Sequence, residues 1–225
     1  MKTWLTTVMV AAVLVSGATQ VMAGSGADAA TAGPLCEACD HAGGEHAAHC
    51  DRHETAGQPA KSSTPATGGD FTLASATGPV NLVDLRGQVV LIYFGYTSCP
   101  DICPTNLAMI ASALKSLAPE ELARVRVLFV SVDPERDDLQ RLTRYAAYFH
   151  PNILGLTGTP NQLAKAATAY GVVYRRVDEP GSALGYMMDH SADTYVVDRQ
   201  GHLARTFHHA TPSSQILAVI RELLG

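Results

Sequence analysis

The sequence contains no basic run. Its 16 lysines and arginines are outnumbered by 21 aspartates and glutamates, giving a net charge of −5 over 225 residues. That balance argues against nucleic acid as a partner, because the electrostatic footprint for phosphate is missing. An uninterrupted membrane span is also missing from the apolar leader. The leader's run from Val8 to Val15 is preceded by Thr6 and Thr7 and followed by Ser16, Gly17, Thr19 and Gln20, short of the roughly 20 apolar residues a bilayer needs. With Lys2 at the start and Val21-Met22-Ala23 as a small-residue cleavage site, residues 1–23 read as a cleaved secretory signal peptide. Export places the cysteines in an oxidising compartment, the bacterial periplasm. The alternative is an uncleaved leader that anchors the chain at the inner membrane.

Apolar periodicity is absent from the next stretch. Gly24 to Gly69 is rich in Gly, Ala, Ser, Thr and Pro, so residues 24–68 read as a flexible arm and linker without a packed core. Within the arm, CEACDHAGGEHAAHCDRH holds Cys36, Cys39, His41, His46, His49, Cys50 and His53. Cys-x2-Cys followed by histidine is a workable grouping for zinc or copper. A solvated low-complexity tract with a single disulfide is the competing reading.

From residue 69 to 225 the pattern changes to that of an α/β domain. Phe71-Thr72-Leu73 and Val80-Asn81-Leu82 flank Thr77-Gly78-Pro79 as a short hairpin. Val89 to Phe94 is an unbroken apolar run of buried-strand length, and Val125 to Val132 is a second. A helix follows the first run, with Leu107, Ile110, Leu114 and Leu117 on one stripe. Asp137 with Gln140 reads as a capping box for a helix carrying Leu139, Leu142, Tyr145 and Phe149 on one face. Thr159-Pro160-Asn161-Gln162 is another such box, on a helix closed by Gly171. Ile153 to Leu156, Val172 to Val177, Thr194 to Val197 and His202 to Phe207 read as strands. Thr211-Pro212 opens a terminal helix with Ile216, Leu217, Ile220 and Leu224 inward. Strands alternating with helices argue for a sheet covered on both faces.

The chemistry concentrates where the first buried strand hands over to its helix, at Cys99-Pro100-Asp101-Ile102-Cys103-Pro104. A helix start favours thiolate over thiol. Thioredoxin-type redox motifs use Cys-x2-Cys; here three residues separate the cysteines. At i and i+4 of one helix their Cβ atoms would sit about 5–6 Å apart, beyond the roughly 3.5–4.5 Å of a disulfide. Metal–sulfur bonds of about 2.3 Å relax that demand, so the spacing leans toward metal without excluding a disulfide. Two thiolates leave a metal site incomplete. Among the other candidate ligands His190 stands out, in a loop Met187 to Ser191 that leads into the strand at Thr194. Asp189 is a candidate to accept the imidazole's second N–H, and Met187 and Met188 are candidate transient ligands. His150 reads as a helix-terminus histidine; His202, His208 and His209 read as solvated.

YFGYTSCPDICP at 93–104, VSVDPERD at 130–137, GLTGT at 155–159 and DHSADTYVVD at 189–198 resemble the Sco/SenC family of copper-handling proteins. The resemblance runs from Asp70 to the C-terminus. It implies a thioredoxin-like fold with an added N-terminal β-hairpin and a copper site made by Cys99, Cys103 and His190. It further implies delivery to the copper A centre of cytochrome c oxidase, with subunit II as acceptor and other copper chaperones and a thiol reductant as further partners. The arm at 36–53 has no counterpart in the family motif. Two thiolates and an imidazole suit Cu(I) and can also hold Cu(II). The competing function is a thiol–disulfide oxidoreductase, with Cys99 and Cys103 as redox-active residues that reduce the acceptor's cysteines. A peroxiredoxin-like peroxidase is a more distant alternative.

Overall fold

Val89–Gly95 is the middle strand of a five-stranded sheet and is buried along its whole length. The computed structural model describes residues 66–225. Along them run β1 (Thr72–Ser75), β2 (Gly78–Asn81), a 3-10 turn (Leu82–Leu85), β3 (Val89–Gly95), α1 (Ile102–Lys115) and α2 (Pro119–Leu122). Then come β4 (Val125–Ser131), α3 (Leu139–Phe149), β5 (Ile153–Leu156), α4 (Pro160–Ala169) and β6 (Tyr174–Asp178). The chain ends with β7 (Tyr186–His190), β8 (Thr194–Val197), β9 (Leu203–Phe207) and α5 (Ser213–Leu224). The expected leader at 1–23 and the ligand-rich stretch at 36–53 lie outside the described residues. Among the described residues, no helix is long and apolar enough to cross a membrane.

The sheet order is β5-β4-β3-β8-β9. β3, β4 and β5 are parallel, and β8 and β9 complete the sheet antiparallel to their neighbours. The links β3-α1-β4 and β4-α3-β5 step the same way across the sheet. Right-handed crossovers therefore place α1 and α3 on one face, where α1 also packs against α5. Covered strands show no polar alternation, which is why β3 and most of β4 read as continuous apolar runs. β1 and β2 pair antiparallel from Thr72↔Asn81 to Ser75↔Gly78. Ala74 and Thr157 exchange backbone hydrogen bonds of 2.7 and 3.0 Å, which dock this hairpin just beyond β5.

Local signals set most helix ends. Thr159 accepts from the Gln162 N–H while the Gln162 side chain accepts from the Thr159 N–H, with Pro160 in the first turn of α4. Helix α3 departs from expectation: its N-cap is Asp138, whose carboxylate accepts from the Arg141 N–H at 2.7 Å. Asp137, expected to cap, points inward and is buried. Either aspartate satisfies the local capping pattern, so only the donors waiting inside the fold decide between them.

A second departure concerns the segment around His190. The expected loop Met187 to Ser191 is mostly strand: Tyr186–His190 forms β7, paired antiparallel with β6 in the register Tyr174↔His190 to Asp178↔Tyr186. The β6–β7 pair is a separate two-stranded sheet, not hydrogen-bonded to the central one. Its stability comes from cross-strand partners on β6 and from contacts with the body of the domain, so the short and partly polar run Tyr-Met-Met-Asp-His carries no strand signal of its own.

Candidate metal centre

The chain leaves β3 at Gly95, turns through Tyr96, Thr97 and Ser98, and enters α1 at Ile102. Cys99 therefore precedes the helix and Cys103 lies in its first turn. The Cys103 N–H points at the Cys99 sulfur, 3.5 Å away, so this sulfur meets one of the helix's unpaired N–H groups where a capping oxygen usually would. Both cysteines are free and buried, Cys103 completely. Gly95 makes room for them: a Cβ there would lie 2.8 Å from the Cys103 sulfur.

Asp137 holds the turn that presents Cys99. Its carboxylate accepts from the Thr97 N–H at 3.0 Å, the Thr97 hydroxyl at 2.5 Å and the Ser131 hydroxyl at 2.7 Å. Arg141 donates to Thr97 Oγ1 at 2.6 Å and to Ser98 Oγ at 3.1 Å. The turn is thus anchored to the end of β4 and the start of α3.

His190 arrives from the separate β6–β7 sheet. Its Nε2 lies 3.4 Å from the Cys103 sulfur and its Nδ1 lies 2.9 Å from the Ser191 carbonyl oxygen. A carbonyl can only accept, so Nδ1 carries the proton and Nε2 presents its lone pair to the cysteines. The expected partner, Asp189, does not do this. Neighbouring strand residues point to opposite faces, and Asp189 instead pairs with Arg175 at 2.8 Å. The rings of Tyr96 and Tyr93 meet the imidazole edge-on, at 5.8 and 6.4 Å between centroids. The ligand atoms of Cys99, Cys103 and His190 all lie within 4.8 Å of one another, close enough for one metal ion to bind all three.

The β6–β7 hairpin is fastened to the body at several points. Arg136 donates to the Tyr186 carbonyl at 3.0 Å, and the Tyr186 hydroxyl donates to Asp133 at 2.8 Å. Beyond His190, Asn106 donates to the Ala192 carbonyl at 2.8 Å. The sequence did not point to Gly95, Asn106, Asp133 or Arg136 as parts of the site, and it pointed to Asp137 only as a helix cap. A signal was available for four of these five, since Gly95 lies in the YFGYTSCPDICP segment and Asp133, Arg136 and Asp137 lie in VSVDPERD.

The two thiols are driven apart electrostatically. Hydrogen bonding from the Cys103 thiol, helped by the N–H groups of Cys103 and Asp101, holds Cys99 well below the ordinary thiol range against the opposing effect of burial. Burial pushes the Cys103 thiol up, and its hydrogen bond with Cys99 and the charge there push it further. The pair therefore retains one proton and presents one thiolate at neutral pH. Burial also pushes the Tyr96 hydroxyl up to about 12, so it remains a donor.

The other histidines of the described residues stay apart from this cluster. His150 caps the end of α3, where burial lowers its pKa. His202 and His208 are exposed beside Asp198 and Asp193. His209 reaches the Asn106 side chain at 3.1 Å.

A family model, SCO1/SenC, matches residues 59–225. The mitochondrial SCO2 homolog of Mus musculus is 39% identical over 155 residues, which are 68% of this chain and 60% of that protein. The copper-bound structure of ScoI from Bradyrhizobium japonicum superposes with a TM-score of 0.64 at 37% identity, over 71% of this chain and 100% of that one. A further similar structure is BsSco, a member of the Sco family of cytochrome c oxidase assembly proteins with an identified disulfide switch. Its TM-score is 0.53 at 26% identity, covering 72% of this chain and 96% of that one. The expected thioredoxin-like α/β class is thereby borne out.

Proposed function

Because the chain belongs to the SCO1/SenC family, we propose that it is a copper metallochaperone whose cargo is held by Cys99, Cys103 and His190. Copper binding is a property of Sco proteins, and relatives have been solved with copper in place. The observation that carries the assignment is the mutual closeness of two sulfurs and one imidazole nitrogen, with the imidazole tautomer set by the Ser191 carbonyl. Soft sulfur donors favour Cu(I), and the imidazole lets the same set hold Cu(II). Three donors leave room for an acceptor's ligand to enter before the donor's leave, so copper can pass without becoming free.

Sco proteins act in cytochrome c oxidase assembly. For this chain the proposed acceptor is the copper A centre in subunit II, reached in the periplasm after export by residues 1–23. Residues 69–225 would form the working domain, and the arm at 24–68 would capture copper through Cys36, Cys39, His41, His46, His49, Cys50 and His53 and pass it inward, with zinc binding or simple disorder as the alternatives. Removing residues 24–68 should then slow loading from dilute copper; equal loading rates would rule the capture role out. Deleting the protein should lower oxidase activity most under copper limitation. Unaffected oxidase at every copper level would mean a different acceptor.

The test of the site is copper titration of the reduced chain. Cys99→Ser or Cys103→Ser should remove one tightly bound copper, and His190→Ala should weaken that copper strongly while leaving disulfide formation intact. Retention of the full tight copper complement in either cysteine variant would overturn the assignment. A second reading, thiol–disulfide exchange that reduces the acceptor's cysteines, is favoured by the thiolate character of Cys99. Exchange needs both cysteines and no histidine. An unchanged copper affinity in His190→Ala would shift the assignment to it.

A further inference from the structure

Cys103 is completely buried, and Cys99 and His190 expose less than a tenth of their surface. Copper carried by another molecule must therefore approach through the cavity that Cys99 and His190 line. This cavity has a volume of about 300 Å3, and its wall includes Met187, Met188, Asp101 and Glu179. Both methionines are half-buried, whereas Asp101 and Glu179 are exposed at the rim. The entrance is thus acidic outside, where a cation is drawn in, and lined by thioethers inside.

The two methionines sit on opposite faces of β7, yet both line this cavity. Met188 shares the face of His190 by strand alternation. Met187 reaches the cavity by its flexible side chain, and its sulfur accepts from the Tyr96 hydroxyl at 3.8 Å. The same Tyr96 ring packs edge-on against the His190 imidazole. One buried side chain therefore positions both a thioether and the imidazole.

From this arrangement, and resting on the copper-chaperone reading above, we infer that Met187 and Met188 form a thioether entry station, the first soft donors of the 69–225 domain that Cu(I) meets on its way to Cys99, Cys103 and His190. A thioether is soft, neutral and carries no proton, so it binds Cu(I) weakly and lets go without a proton transfer. The step is ligand exchange alone. A copper–sulfur bond to methionine forms as one bond to the carrier breaks, and copper keeps its oxidation state. The Cys99 thiolate then displaces the thioether. Neither methionine is needed in the final donor set, so the station acts on rate and not on the amount bound.

The experiment follows transfer of Cu(I) from its coloured bicinchoninate complex to the reduced full chain under a phosphine reductant, by stopped-flow absorbance. Leucine matches methionine in volume and lacks the donor. The double variant Met187→Leu, Met188→Leu should load about tenfold more slowly and reach the same final copper content. Placing a soft donor back, as Met187→Cys together with Met188→Leu, fits the wall less well than leucine and should nevertheless recover most of the rate. Met109→Leu, on α1, should behave as the unaltered chain. A double leucine variant as fast as the unaltered chain, or a cysteine variant no faster than the double leucine variant, overturns the entry station. A lower final copper content in the double variant does so as well, because the methionines would then belong to the resident site. Failure of Cys99→Ser to release copper would count instead against the ligand set itself.

Discussion

Gly95→Ala tests how tightly the sheet grips the Cys103 sulfur. A Cβ at this position would lie 2.8 Å from Cys103 Sγ, 3.0 Å from Phe129 Cε2 and 3.3 Å from Tyr93 Cε1. Ordinary contact begins near 3.4 Å, so the sulfur would have to move by about 0.6 Å (3.4 − 2.8). Phe129 and Tyr93 are fully buried, and β3 is clamped between β4 and β8, so neither the rings nor the strand can yield instead. Overpacking of this kind costs about 1–3 kcal/mol. At about 2–4 °C per kcal/mol for a domain of this size, Tm should fall by about 2–12 °C. Metal–sulfur distances tolerate only about ±0.2 Å, so a shift of this size should also weaken copper, about 10–100-fold, as changes just outside a ligand set do. Competition against a Cu(I) chelator and a thermal melt on the same sample read both effects. Unchanged copper affinity together with an unchanged Tm would refute the claim that this glycine exists for the sulfur.

Asp137→Ala strips the acceptor from the Thr97 N–H and from the Thr97 and Ser131 hydroxyls at a fully buried side chain. Urea unfolding should show a loss of about 3–5 kcal/mol, and a loss below about 1 kcal/mol would mean that the turn before Cys99 holds without it. Asp189→Asn breaks only a largely exposed pair with Arg175, worth about 0–1 kcal/mol, so copper affinity should stay within a factor of about two; a tenfold drop would restore Asp189 as the imidazole's orienting partner. In the reduced, metal-free chain, thiolate absorbance should already report one thiolate well below the ordinary thiol pKa of about 8.5, removed by Cys99→Ser, because Cys99 is shifted down and Cys103 up. Cys99 is depressed in the folded state. Its contribution to stability is therefore present in full above the unfolded thiol pKa and is lost as pH falls toward the folded one. Both cysteines titrating together near the ordinary value would contradict this.

Much of the domain is written locally. The runs at Val89 and Val125 identify buried strands because a strand covered on both faces needs apolar residues at every position. Thr159 and Gln162 fix the start of α4 because both halves of their capping box are close in sequence. The strand-to-helix placement of Cys99 and Cys103 is legible for the same reason, and so is their leaning toward metal. Local pattern cannot say which of two adjacent aspartates caps α3, because Asp137 is claimed by Thr97 and Ser131. It cannot show that Tyr186–His190 is a strand, because the partner that makes it one, Tyr174–Asp178, lies across a turn. Nor can it replace Asp189 by the Ser191 carbonyl as the group that sets the imidazole proton. Those outcomes depend on which donors and acceptors meet after the chain has folded. The residues of the candidate metal site could be named from the sequence, with His190 in the candidate set. Bringing His190 to within 3.4 Å of Cys103 across 87 residues of chain was decided by the tertiary structure alone.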